Sequence, residues 1–504
     1  MNPDKTGYIY QPLPKRDFFR YLVLHPGNKN DDLTCTLHIS SLQRAPPFEA
    51  VSYFWGSDVK DQEITCDGER VHITTNLHSA LLRVRKPAEP RSLWADSISI
   101  NQNDLKERPH QVSLMAKIYA SAQRALVCLG SDQGGCGSDA LTDAPWFGRG
   151  WVVQEVGLAK QALILWGNAE FSWQALIRCY FWFIQRAAAG LRQFQLSDIH
   201  LEISKARYKH ELRTLFLEAR WFCLGLLKIL EYARCLGMKG ERDRLYAFIP
   251  LANSMEAPEK AIAWNPDYTK HCLDVYSDFA HRYVRSTEDV TILHYVQHTE
   301  ESINNDRIAS WVPRWNIDMF TQSIFHPTDP AVTPASEDQP ALWKPSCRGS
   351  NTLAVRGVLF DRVRFSSQLL TRTEPVETIV SIWKIVTATA ASLAYATSHT
   401  SLAFMSTLVI GSRWGEREAW ESQRTAYIER LNGGPPNSAL DSFHVQVQRF
   451  VQNRRFIVTE RGYFGLAPLV AKPGDVCSII FGAGTLLLLR KADHRGHYKV
   501  IGDM

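Results

Sequence analysis

A chain of 504 residues, 45% hydrophobic and 22% charged, is too long for a single small core and too apolar for a disordered chain, so roughly two to four globular units are expected. Its formal net charge of +5 is slight for this length, and the densest basic cluster, Arg83, Arg85, Lys86 and Arg91, is too small for a nucleic-acid footprint. Ten cysteines, never spaced as CxxC, exclude the usual zinc patterns and a disulfide-stapled miniprotein, and fit reduced thiols.

The N-terminal stretch MNPDKTGYIYQPLPKRDFF has no apolar signal core, so an unsecreted, cytoplasmic chain is expected. FEAVSYFWG and QEITCDGERVHIT read as strands, the second broken at Asp67-Gly68 by a hairpin turn signal. TNLHSALLRVR follows as a helix, with Thr75 or Asn76 available as its cap and Leu77, Leu81 and Val84 on one face. RSLWADSISI is short and apolar enough for a strand, although Asp96 sits within it. Asn101, Gln102, Asn103 and Asp104 then make a polar loop. From Leu105 onward Val112, Met115, Ile118 or Tyr119, and Ala122 recur at helical intervals, before the strand RALVCLG.

This strand, loop, helix and strand make a parallel βαβ unit by default. Ligands of open parallel sheets bind at the carboxyl ends of strands, where Ser99 to Asn103 fall. Equally, Asn and Asp are good turn formers and helix caps. In APWFGRGWVVQEVGLAKQALILWG, Trp151 to Ala159 reads as a helix and ALILWG as a further strand. The region to about residue 170 is therefore α/β.

Residues 171–300 read as mainly helical, with long runs such as LRTLFLEARWFCLGLLKILEYARCLG. Residues 301–504 read as a mixed region ending in a small β-rich unit: a proline-rich loop over 317–350 precedes the strands of TLAVRGVLFDRV and RRFIVTERGYFGLAPLVAKPGDVCSIIFGAGTLLLLRK. The uncharged run Ile385 to Ser412 is long enough to cross a bilayer, but ten Ser or Thr residues and His399 make it a poor span and a better packed helix. No internal repeat is present.

Common catalytic signatures are missing. GxxxxGK[ST], HExxH and GxSxG do not occur. FGAGTLLLL has only two glycines of a dinucleotide fingerprint, and the pair His494 and His497 reads as surface histidines, so no metal site is assigned.

FEAVSYFWG, ITCDGERVHITTNLHSALLRVR, LWADSISINQNDLKERPHQVSLMAKIYASAQRALVCLG and PWFGRGWVVQEVGLA occur in the order and near the spacing of the fungal heterokaryon incompatibility (HET) domain, which residues 48–160 resemble. ERDRLYAFIPLA, NPDY, SWVPRW and the ending FIVTERGYFGLAP…VIGD resemble segments that follow in long HET proteins. The family's usual CINQ stands here as SINQ, so Ser99 replaces a cysteine and no thiol nucleophile exists at that position. Relatives continue through a further short tail beyond VIGDM, which leads us to expect a shortened terminal β unit.

The resemblance implies a role in non-self recognition, with growth arrest or cell death after fusion of incompatible hyphae, and a protein partner or self-association. It also implies remote similarity to the TIR domain, a flavodoxin-like parallel sheet, some of whose members cleave NAD with one glutamate. On that basis residues 1–170 are the HET domain, and NAD is a candidate substrate rather than a cofactor. Cleavage of an N-glycosidic bond passes through an oxocarbenium-like state that a carboxylate stabilises or traps. Glu155 in RGWVVQE is the first candidate carboxylate and Asp96 the second, each with a structural alternative: an exposed helix glutamate, and an aspartate paired with Arg149 or a loop amide. Asn101 and Gln102 suit ribose hydroxyls or an amide as well as helix capping. Trp55 and Trp151 suit ring stacking as well as core packing. Arg149 suits a phosphate as well as either carboxylate, and the adjoining Gln154 completes the candidate ligand set. Two other classes stay open: a non-enzymatic interaction module, and an accessory protein or enzyme of a fungal secondary-metabolite pathway.

Overall fold

The computed structural model describes residues 8–14, 17–130, 144–176, 178, 225–234, 236–250, 266–317, 341, 343–345, 351–388, 393–395, 397–411, 417–435 and 439–504. The chain divides into two compact units, Met1–Lys270 and His271–Met504.

The N-terminal unit contains strands β1 (Phe18–Leu24), β2 (Thr34–Ser41), β3 (Glu49–Tyr53), β4 (Gln62–Cys66), β5 (Glu69–Ile73), β6 (Arg91–Trp94), β7 (Ala125–Gly130), β8 (Ala162–Trp166) and β9 (Ala169–Ser172). They form one sheet in the order β5-β4-β2-β1-β6-β3-β7-β8-β9. The expected parallel sheet is corrected to a mixed one. β6, β3, β7 and β8 run parallel, whereas β1 pairs antiparallel with β6 and β2, and β9 antiparallel with β8. The physical reason is the short β1–β2, β4–β5 and β8–β9 connections, which reverse the chain where a crossover helix would keep it parallel.

β3 and the apolar part of β7 are buried along their length, as strands covered on both faces must be. Their residues alternate between two cores. Ala50, Ala125 and Val127 meet Met115 and Ile118 of helix α3 (Glu107–Ser121). Val51 and Leu126 meet Leu77, Leu81 and Val84 of helix α1 (Thr75–Val84) on the other face.

Local chemistry sets the boundaries. Asp67 and Gly68 have φ of 50° and 87°, as the two central residues of a tight hairpin require. Thr74, not Thr75 or Asn76, caps α1 by accepting from the Leu77 amide at 3.3 Å; Thr75 instead donates to Asp61. The β6 strand stops at Trp94, earlier than its apolar pattern predicts. Asp96 opens the one-turn helix α2 (Asp96–Ser99) and accepts from the Ser97 amide at 2.8 Å, a local bond that competes with strand pairing.

Glu49, at the start of β3, accepts from Arg91 at 2.9 Å and Arg124 at 2.6 Å. Burial pushes its carboxyl up, but the arginines outweigh burial and hold it below its ordinary value. Its stabilising contribution is present above about pH 4.5 and lost as pH falls through the depressed titration range. Glu49→Gln is therefore expected to lower the melting temperature clearly at about pH 7 and progressively less as pH falls through the depressed range. A loss that stays equal as pH falls would sink the pairing argument.

Helices α4 (Trp151–Gly157), α5 (Leu226–Ala233) and α6 (Asp243–Tyr246) complete the described N-terminal unit. The helical reading of 171–300 holds for the described residues from 225 onward, whereas most of 177–224 lies outside them.

The C-terminal unit begins with helices α7 (Cys272–Thr287) and α8 (Glu300–Ile303). The proline-rich stretch 317–350 falls almost wholly outside the described residues; within it β10 (Trp343–Pro345) pairs with β11 (Leu353–Val355). A six-stranded antiparallel sheet follows: β12 (Gly357–Ser366), β13 (Arg454–Thr459), β14 (Phe464–Pro468), β15 (Val476–Ile480), β16 (Leu487–Lys491) and β17 (Tyr498–Asp503), in the order β14-β13-β12-β15-β16-β17. Three strands separate β13 from β17 in that order, yet Arg454 reaches Asp503 at 2.8 Å, so the sheet curls into a half-barrel.

Helices α9 (Val376–Thr387), α10 (Thr397–Leu408), α11 (Arg417–Leu431) and α12 (Ala439–Val451) lie between β12 and β13 in sequence. They cover one face of the sheet, where Trp383, Phe404 and Tyr427 meet Phe456 and Phe464. The Ile385–Ser412 run is thus shared by α9 and α10. Among the described residues no helix is long and apolar enough to cross a membrane.

Candidate functional site

The four parallel strands end on one edge, and segments following three of them converge there. Because β3 alternates faces, Ser52 shares the side of Ala50 and looks toward α4. A 3-10 turn, Pro145–Gly148, places Trp146 so that its indole N–H donates to Ser52 Oγ at 2.8 Å. Ser52 Oγ donates onward to Glu155 Oε2. Arg149, between that turn and α4, donates through Nη1 to the Tyr53 carbonyl, and its Nη2 lies 3.8 Å from Glu155 Oε1. Glu155 is not the exposed helix glutamate of the alternative reading, being only 1% exposed.

Asp96 enters from the end of β6. Trp55 Nε1 donates to its carboxylate at 3.0 Å, and the Tyr53 hydroxyl is 2.6 Å from Ser97 Oγ. Tyr119 of α3 closes the base by donating to the Val51 carbonyl at 3.3 Å.

Burial pushes the Glu155 carboxyl up to about 7; Arg149 and Ser52 oppose that rise and the nearby Asp96 adds to it. Asp96 is also raised, again first by burial, against the pull of Arg149, the Ser97 amide and Trp55. One guanidinium thus acts on two buried acids, Glu155 at 3.8 Å and Asp96 by its charge alone. A buried carboxyl raised to about 7 can hold or release a proton near neutrality, and its ionised form can face a developing positive charge.

The predicted residues separate into groups. Glu155, Arg149, Asp96 and Trp55 come together. Asn101 and Gln102 hold their own loop: Asn101 Oδ1 accepts from the Asn103 amide at 3.2 Å, and Gln102 Nε2 donates to the Asp96 carbonyl at 3.0 Å. Asp104, in the turn ahead of α3, accepts from the Lys106 and Glu107 amides, whereas Lys106 at the N-cap makes no side-chain cap bond. The Trp151 side chain acts on the Asp243 carboxyl rather than on Glu155. Gln154 is fully buried, and neither amide atom has a hydrogen-bond partner among the described residues. Ser99, where the family has cysteine, is buried with its hydroxyl accepting from the Ala95 amide at 3.3 Å.

Sequence reasoning missed Ser52 and Trp146. The alternation in FEAVSYF held the signal for Ser52, since it places the serine on the α3 side at the carboxyl end of the strand.

The fold and these side chains define an α/β module with two buried acids at the strand ends. Residues 48–139 match the family model described as Heterokaryon incompatibility protein (HET). Heterokaryon incompatibility protein 6, OR allele, of Neurospora crassa is 38% identical over 125 residues, which cover 22% of this chain and 18% of that protein's length. The N-terminal region thus matches the HET family, in agreement with its sequence motifs. No solved structure gave a match.

Proposed function

We propose that this chain acts in fungal heterokaryon incompatibility, with residues 1–170 as a cell-death effector that cleaves NAD and the remainder as a sensing or regulatory body. The observation that carries this reading is the buried Glu155 carboxyl beside Arg149 at the carboxyl ends of the parallel strands. In chain order β6-β3-β7-β8 is second, first, third and fourth, the beginning of the flavodoxin-like order, which supports the remote TIR likeness.

In the proposed reaction the bond between ribose C1′ and the nicotinamide nitrogen breaks, and its electron pair leaves with the ring. Ionised Glu155 stabilises the resulting oxocarbenium-like carbon. Water adds at C1′ and loses its proton to a carboxylate, giving ADP-ribose and nicotinamide. Arg149, held beside Glu155, favours its ionised form, and Trp55 stacks on a ring.

Wild type and Glu155→Ala are to be expressed at matched levels in a fungal host while growth and cellular NAD are followed. Arrest with NAD loss is expected only for wild type, and NAD hydrolysis by the purified variant should fall on the order of 100-fold or more. A second reading, a non-enzymatic interaction module bound to a protein partner or to itself, draws on the fact that Ser52 and Arg149 already occupy Glu155. Arrest by both chains with NAD unchanged would favour it.

A further inference from the structure

Residues 236–250 and 266–268, which the reaction does not use, pack in the N-terminal unit against the turn and helix that carry the site. The Gly150 amide donates to the Gly237 carbonyl at 3.0 Å, and the Gly237 amide donates back to the Gly148 carbonyl at 2.7 Å. Arg149 and Gly237 thereby form an isolated parallel bridge. Met238 lies over Gly150 so closely that a Cβ there would fall onto its thioether.

Six residues beyond Gly237, Asp243 is buried at the start of α6. It accepts from Tyr268 Oη at 2.6 Å and is hydrogen-bonded by Trp151, the first residue of the Glu155 helix. Arg108 lies 5.2 Å and Arg242 6.0 Å from the Tyr268 ring centre. A short helix of seven residues has little stability of its own, so its position is set by such contacts.

We propose that Asp243, acting through Trp151 and the 148–150 bridge to Gly237, is the positioning residue that holds Arg149 against Glu155. The inference rests on the site assigned above and extends it to a segment outside the HET match. The groups facing Glu155 are Arg149, Asp96, Tyr53 and Tyr119; those facing Asp243 are Tyr268, Tyr246, Arg108, Arg242 and Trp151. Arg149 is the one cation among the first group, so its displacement makes the Glu155 carboxyl harder to ionise.

The test follows how much Glu155→Gln stabilises the full chain as pH is raised, in the wild-type background and in Asp243→Asn and Tyr268→Phe backgrounds. Each background is compared with its own Glu155→Gln partner, so titration of Asp243 itself cancels. Tyr268→Phe removes one hydroxyl and serves if Asp243→Asn fails to fold. If the inference holds, the pH at which the gain levels off rises by about 0.5 or more in the variant backgrounds. An unchanged levelling point with merely lower overall stability overturns the positioning role. Absence of any pH-dependent gain in the wild-type background overturns the site reading, and the inference with it.

Discussion

Glu155→Gln is expected to stabilise the N-terminal unit by about 3 kcal/mol at about pH 8 and hardly at all at about pH 4. The sign follows from the direction of the perturbation. Burial raises the native carboxyl to about 7, whereas the unfolded chain ionises near its ordinary 4.5. Below that lower value both states are protonated and the wild-type carboxyl costs nothing relative to an amide. Between about 4.5 and about 7 the unfolded chain ionises while the native carboxyl holds its proton, so the stability present at low pH is progressively lost and levels off above about 7. The residue is nearly solvent-free, so little screening intervenes. Denaturant titrations across this range measure the difference; a gain independent of pH would show that Arg149 and Ser52 fully compensate the charge.

Arg454→Met is expected to cost the C-terminal unit about 3–5 kcal/mol, because it takes a bonded guanidinium away from a buried carboxylate. Arg454 is 1% exposed and donates to Asp503 Oδ1 at 2.8 Å and to the Asp503 carbonyl at 3.2 Å. Those bonds join β13 to the end of β17 and so fasten the curl of the half-barrel. Desolvating an ion pair is costly, so removal of both charges should do less harm than removal of one. The double variant Arg454→Met with Asp503→Leu is accordingly expected to recover much of the loss in the unfolding transition of this unit. A double variant no better than the single one would mean that the arginine matters for packing alone.

The parts of the fold legible in the sequence were those written in local periodicity. FEAVSYF, the Asp67-Gly68 hairpin, TNLHSALLRV and RALVCLG all state their structure within a dozen residues. β1 and β2 escaped because their places depend on distant partners: Arg20 lies within β1, where a charge reads as surface, yet it is buried by a pair with Glu107. The mixed character of the sheet escaped for the same reason, since strand direction is set by pairing. Within the site, Glu155, Arg149, Asp96 and Trp55 were legible as residue types, but their meeting was not. Ser52 and Asp243 were harder still, because a serine in a strand and an aspartate in a helix turn look alike whether they face water or another side chain.

The bridge between Arg149 and Gly237 spans about ninety residues of chain. At the usual pace of synthesis, roughly ten seconds separate the two positions at the ribosome. The acid-bearing turn therefore leaves the ribosome before the strand of backbone that secures it. A nascent chain holds Glu155 and Arg149 without their brace, and the site reaches its final arrangement only after translation has passed well beyond the β-sheet that houses it.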